Sequence, residues 1–297
     1  MNIKQLIISI IPQRLILFSR AFRSFWQTIS KKNMRRKANI PILHLHLADH
    51  CNLNCRGCDN FSPLSPEIFP DFQAFTNDCE QISKICGDRI DEVQLLGGEP
   101  LLNKQIIDYL NVTRKFFPKI PIKIITNGIL LPKMKSEFWE SARQNDIEIV
   151  VTKYPINIDF QSLKQKVNDE KIRFSFYGNT EIVPKTMECV PLDLQGNQNA
   201  RDSFLRCSRA NRCVAVDNGK LYTCSLVPYV KYFNSFFGKN LEISQTDFLN
   251  IYEIKNMEQI VNYLCKPLKF CRFCNVKGTI YDIGYGVSKN NILEWTK

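Results

Sequence analysis

The sequence predicts an α/β fold built on a parallel sheet, with a small cysteine-rich module after it and an amphipathic helix before it. Three observations lead there. From Ile42 onward, apolar runs of strand length alternate with segments of helix length, the rhythm of repeated βα units. After Tyr177 that rhythm fails, and the residues beyond Arg206 hold six of the twelve cysteines. At the other end, residues 13–29 put Leu15, Phe18, Phe22, Phe25, Trp26 and Ile29 on one helical face, with Arg20, Arg23 and Gln27 opposite.

Three segments follow from this pattern: a basic helix and linker over 1–40, a main α/β unit over 41–200 and a cysteine-rich module over 201–297. The N-terminal helix either docks on its own domain, lies on an anionic membrane surface or engages a protein partner. The run Lys31–Lys37 reads as a solvated linker. Residues 1–48 hold nine Lys or Arg and no Asp or Glu, which leaves 31 basic against 29 acidic residues in the rest. The formal charge of +11 is therefore local, and a near-neutral body argues against a nucleic-acid partner.

Pro12, Gln13 and Arg14 interrupt the opening apolar run, which leaves neither a secretory signal nor the roughly 20 apolar residues of a membrane span. The expected location is the cytoplasm, with peripheral membrane contact through the helix as the variant. In a reducing compartment, clustered cysteines bind metal more often than they pair.

Within the main unit the strands fall at Ile42–Leu47, Glu92–Leu96, Ile122–Thr126, Glu148–Val151 and Ile172–Phe176, with helices near 72–86, 104–116, 133–144 and 160–169. A sixth strand is expected within Val214–Asp217. Five or six βα steps are too few for a closed eight-stranded barrel, so a partial barrel or an open sheet is implied.

The first strand runs into Cys51, Cys55 and Cys58, three thiols on one loop. Parallel α/β folds carry their chemistry at that strand end, where loops converge without disturbing the core. Cysteines spaced by three and two residues can ligate three irons of a cubane cluster and leave the fourth open. A structural zinc site is the rival, but it needs a fourth closed ligand, such as His50 or another cysteine.

The second strand ends in Gly97-Gly98-Glu99-Pro100 about forty residues after these cysteines. The glycines let backbone approach a ligand closely, and the Glu99 carboxylate can accept from an ammonium group. The third strand ends in Thr126-Asn127-Gly128, and Thr152 stands at the same rim past the fourth.

These motifs resemble the radical S-adenosylmethionine (SAM) superfamily, over residues 42–177. The resemblance implies a partial (β/α)6 barrel of the TIM type and a [4Fe-4S] cluster on Cys51, Cys55 and Cys58. It also implies SAM held by the turn Gly97, Gly98, Glu99 and Pro100, with Thr126, Asn127 and Thr152 as further contacts. The implied activity is reductive cleavage of SAM to a 5′-deoxyadenosyl radical that abstracts hydrogen from a substrate, the electron coming from a reductant such as flavodoxin or ferredoxin. In one departure from the family, the position before the third cysteine, often aromatic, is Gly57. Adenine packing then falls to another residue, with Phe61 as the candidate.

The C-terminal cysteines are Cys207, Cys213, Cys224, Cys265, Cys271 and Cys274. Cys213 to Cys224 reads as a hairpin turning at Asp217-Asn218-Gly219-Lys220. Cys207, eleven residues, Gly219, four residues and Cys224, followed later by Cys271 and Cys274, resembles the shortened auxiliary-cluster module, called twitch, of the SPASM group. It implies an auxiliary [4Fe-4S] cluster on Cys207, Cys224, Cys271 and Cys274, with Cys213 and Cys265 as substitutes. Zinc is the alternative metal there. Cys79, Cys86 and Cys189 read as packing residues. His44 and His46 share one face of the first strand and read as core or rim residues.

An auxiliary cluster favours a net oxidation or bond formation over isomerisation. The substrate is then either a peptide or protein, or a small polar molecule such as a sugar or aminocyclitol; the short module leans toward the latter. From another class, the chain could be a non-catalytic iron-sulfur or zinc-binding interaction protein, which has no use for the Gly97–Pro100 turn.

Overall fold

The computed structural model describes residues 39–179, 183, 186–210 and 212–296. The helix expected over 13–29 and the basic run after it lie outside the described residues.

Five parallel strands form first: β1 Ile42–Ala48, β2 Val93–Gly97, β3 Ile122–Thr126, β4 Ile147–Val151 and β5 Arg173–Phe176. The helices α1 Phe72–Cys86, α2 Ile106–Phe116, α3 Ser136–Gln144 and α4 Phe160–Asp169 connect them. Asp71 caps α1 by accepting from the Ala74 amide at 2.8 Å, and Asp159 caps α4 in the same way. Parallel strands need such crossovers, and each crossover helix buries one apolar stripe on the sheet.

The chain then crosses back. A short strand β6, Thr186–Cys189, precedes α5, Ala200–Arg206, and leads to β7, Cys213–Asp217. β7 pairs in parallel with β1, Ile42 opposite Cys213, so the sheet order is β5-β4-β3-β2-β1-β7. The partial barrel thus has its sixth parallel strand at the expected residues, on the far side of β1 and not beyond β5. Val214, Ala215 and Val216 are buried there and close an edge of β1 that would otherwise present unpaired amides.

A tight turn at Asn218 (φ 47°) and Gly219 (φ 75°) sends β8, Lys220–Tyr222, back antiparallel. The strand β9, Leu249–Asn250, extends that edge. The helices α6 Val230–Phe237, α7 Met257–Leu264 and α8 Leu293–Thr296 complete the described chain, with β10, Ile280–Gly284, paired antiparallel to β6.

Alternation on β1 sets the layers. Leu43, Leu45 and Leu47 face the main core with Phe75 and Ile82 of α1, which leaves His44 and His46 on the opposite face. The main core also takes in Val214, Leu221, Ile260 and Leu264, and a second core joins Phe61 and Leu64 to Tyr229, Phe233, Phe270, Phe273 and Trp295. The boundary expected at residue 200 therefore does not separate the two cores, because each takes residues from both sides of it. Among the described residues no helix is long and apolar enough to cross a membrane.

Candidate functional site

The loop after β1 is built onto the end of β2. The Gly98 amide donates to the Ala48 carbonyl at 2.8 Å and the Glu99 amide to that of His50 at 3.0 Å. A Cβ at Gly97 would lie 2.0 Å from the Ala48 oxygen, and one at Gly98 would lie 2.0 Å from the His50 oxygen. Gly97 also holds φ at +141°, where side chains rarely fit. The paired glycines are thus required by the approach of the chain's own cysteine loop, a reason the sequence reading had assigned to a ligand.

That approach opens a cavity of about 120 Å³ lined by all three thiols, Cys51, Cys55 and Cys58. Gly97, Gly98, Thr126, Asn127, Thr152 and Tyr154 also line it. Burial pushes the thiols of Cys51 and Cys55 up to about 12 and raises Cys58 as well. At neutral pH such thiols keep their protons until a cation displaces them.

Glu99 takes a different place from the one expected. Its side chain is fully buried and lies outside the cavity wall; its carboxylate accepts from the Leu101 amide at 3.1 Å, the Thr126 hydroxyl at 2.7 Å and the Asn127 amide at 2.9 Å. Burial raises its pKa to about 7 against these hydrogen bonds. The carboxylate expected to meet an ammonium group instead braces β2 to β3. Pro100, also buried, starts the 3-10 turn behind it.

Asn127 turns the other way. Its Nδ2 donates to Asn52 Oδ1 at 2.7 Å and approaches Cys51 Sγ at 3.8 Å, while its Oδ1 accepts from the Ile129 amide at 3.0 Å. Thr152 reaches the same rim through its amide, which donates to the Thr126 carbonyl at 2.9 Å.

Phe61 is corrected outright. It is fully buried at φ 54° and packs on Phe233 and Trp295 with ring centroids 5.7 and 6.2 Å away, so it belongs to the second core and not to the cavity. The aromatic wall is Tyr154, which the sequence reading missed. Its position three residues beyond β4, at the rim that Thr152 marks, was the available signal. Its ring meets Tyr285 edge to face at 5.5 Å.

Gly57 also finds its reason. It sits at φ +62°, and a Cβ there would lie 2.8 Å from the Glu294 carbonyl in α8. The adjoining Trp295 donates from its indole N–H to the Cys58 carbonyl at 2.9 Å. The strip before α8 pairs with the cysteine loop, the Arg56 amide donating to Gly286 at 2.8 Å and the Ser288 amide to Asn54 at 2.7 Å.

Cys207, Cys224, Cys271 and Cys274 are near enough to act on one another electrostatically. Burial and then the neighbouring Cys207 raise the Cys224 thiol; burial pushes Cys271 up to about 12; burial, followed by Cys271, Cys224 and Cys207, raises Cys274. Cys213 instead opens β7 opposite Ile42, and Cys265 is an exposed cap of α7. Cys79 and Cys86 lie in the main core and Cys189 is buried at the end of β6. Among the described residues, no three His, Cys, Asp or Glu side chains close around a single ion.

Residues 45–169 match the family model described as the Radical SAM superfamily. These residues form a radical SAM domain. Proteins with this domain are enzymes that use a [4Fe-4S] cluster and SAM, and the three half-buried thiols beside the glycine turn fit such a cluster. The GTP 3',8-cyclase of Clostridium acetobutylicum is 24% identical to this chain over 269 residues, 80% of this chain and 77% of that protein. That of Alkaliphilus oremlandii is 25% identical over 157 residues, 52% of this chain and 45% of that protein. In this second match the chain spans less than half of its relative. Among solved structures, BtrN in complex with AdoMet and 2-DOIA matches with a TM-score of 0.49 and 17% identity, over 80% of this chain and 93% of that one. The anSMEcpe enzyme with bound AdoMet matches with a TM-score of 0.46 and 13% identity, over 79% and 83%.

Proposed function

We propose that this chain cleaves SAM reductively at a [4Fe-4S] cluster on Cys51, Cys55 and Cys58 and oxidises a small polar molecule, with an auxiliary cluster on Cys207, Cys224, Cys271 and Cys274. One observation carries the reading: three thiols, the Gly97-Gly98 turn, Asn127 and Thr152 line one cavity. A purely structural metal site needs no such wall. The relatives named for GTP cyclisation act on a small molecule, which supports that substrate class over a peptide.

When bound, the cluster and SAM supply a 5′-deoxyadenosyl radical that takes hydrogen from the substrate. The chain's own residues prepare the place. Cys51, Cys55 and Cys58 would hold the cluster as thiolates. Gly97 and Gly98 let the cysteine loop close against the turn, so that their backbone lines the cavity beside the thiols, and the Asn127 and Thr152 side chains offer polar contacts at the rim. Tyr154 supplies an apolar ring face for a base. Trp295 and the strip 286–288 pair with the cysteine loop and hold it in place. The electron comes from a small reductant such as flavodoxin or ferredoxin, and the cytoplasm is the compartment that keeps all twelve cysteines reduced.

Anaerobic reconstitution with iron and sulfide, metal counting and dithionite-driven formation of 5′-deoxyadenosine test the reading. The expected result is about eight irons per chain with SAM cleavage. About four irons with one zinc would make the C-terminal thiols structural. A loaded first cluster without cleavage would overturn the activity.

A further inference from the structure

Arg209 joins the two thiol sets. It follows Cys207 by two residues, in a turn whose Ala210 amide donates to Cys207 Sγ at 3.4 Å and whose Cys213 amide donates to the Arg209 carbonyl at 3.1 Å. Its guanidinium crosses to Asp59, with an N–O distance of 2.8 Å, and Asp59 directly follows Cys58. The pair is mostly enclosed, with 21% of the Arg209 side chain and 38% of that of Asp59 exposed.

We propose that Arg209 is a positioning residue that locks the Cys58 loop to the Cys207 turn and supplies the positive charge that sets the reduction potential of the auxiliary cluster. The inference rests on the auxiliary-cluster reading given above. A cubane on four thiolates is an anion, and each added electron makes it more so. A fixed cation nearby stabilises the reduced form more than the oxidised one and raises the potential. Asp59 anchors that cation and offsets part of its charge. The two residues therefore act in opposite directions, which an ordinary structural ion pair would not do.

The test is a redox titration of the anaerobically reconstituted full chain, followed by electron paramagnetic resonance, for the wild type, Arg209→Gln, Arg209→Lys and Asp59→Asn. Iron and zinc are counted first. A wild-type chain with one cluster and zinc overturns the auxiliary reading and the proposal with it. With two clusters present, the auxiliary potential is expected to fall in Arg209→Gln, to return toward wild type in Arg209→Lys and to rise in Asp59→Asn. Unmoved potentials, or shifts of the same sign in Arg209→Gln and Asp59→Asn, overturn the proposal and leave the auxiliary reading standing. If Arg209→Gln loses auxiliary iron, the sign of the shift in Asp59→Asn decides: upward supports the charge role, and no shift or a fall refutes it.

Discussion

Glu99 and Thr126 meet at 2.7 Å across the ends of β2 and β3, and the same carboxylate takes up the amide of Asn127, whose side chain points back to the cysteine loop. Three sequence motifs are thereby fastened to one another by a group with no exposure to solvent. In Glu99→Gln one acceptor oxygen becomes an NH₂ that must face a donor. The expected cost is about 1–3 kcal/mol for the unsatisfied group, seen as a lower urea midpoint of the metal-free protein. A variant as stable as wild type would remove the bracing role.

Gly98 and Gly284 make opposite predictions. At Gly98 an added methyl meets the His50 carbonyl, which is backbone and cannot swing away; at Gly284 nothing lies within 4 Å. Gly98→Ala should displace the cysteine loop, cost about 1–3 kcal/mol or more and reduce the iron retained on reconstitution. Gly284→Ala should stay within about 0.5 kcal/mol and retain all its iron. Equal iron contents in the two variants would contradict the close-approach account.

Acid stability depends on His44. Burial, with the neighbouring His46 second, lowers its pKa from 6.5 to about 3 against a side-chain hydrogen bond with Gln94 that raises it. The unfolded chain therefore binds more protons than the folded one between those two values. Stability from this group is fully present above pH 6.5 and is lost as pH falls toward 3, by at most about 1.4 kcal/mol per pH unit. His44→Met should flatten that slope relative to wild type in denaturation series run from pH 7 to pH 4. Parallel curves for the two proteins would mean that His44 does not titrate in this way.

Trp295 reaches the first cysteine loop from the far end of the chain through its indole N–H. Trp295→Phe keeps the packing with Phe61 but strands the Cys58 carbonyl, at an expected cost of about 1–2 kcal/mol. The reconstituted variant should lose its visible cluster absorbance in air faster than wild type. An unchanged decay would show that the contact does not guard the cluster.

The sequence by itself determined the elements and the loop that carries the chemistry. Periodicity is local, so α1 and α4 fall where the apolar spacing puts them and β1 to β5 within a residue or so of their expected bounds. The spacing of Cys51, Cys55 and Cys58 is likewise a property of one short segment. Tertiary structure decided what depends on residues far apart. Edge pairing placed β7 beside β1, because burying Val214 and Val216 there closes an open strand. Packing with Phe233 and Trp295 drew Phe61 into the second core and left Tyr154 at the cavity. Donors on β3 claimed the Glu99 carboxylate. Even the glycines of the β2 turn, visible as a motif, owe their necessity to a loop 48 residues earlier, since only the folded chain brings the His50 carbonyl against Gly98.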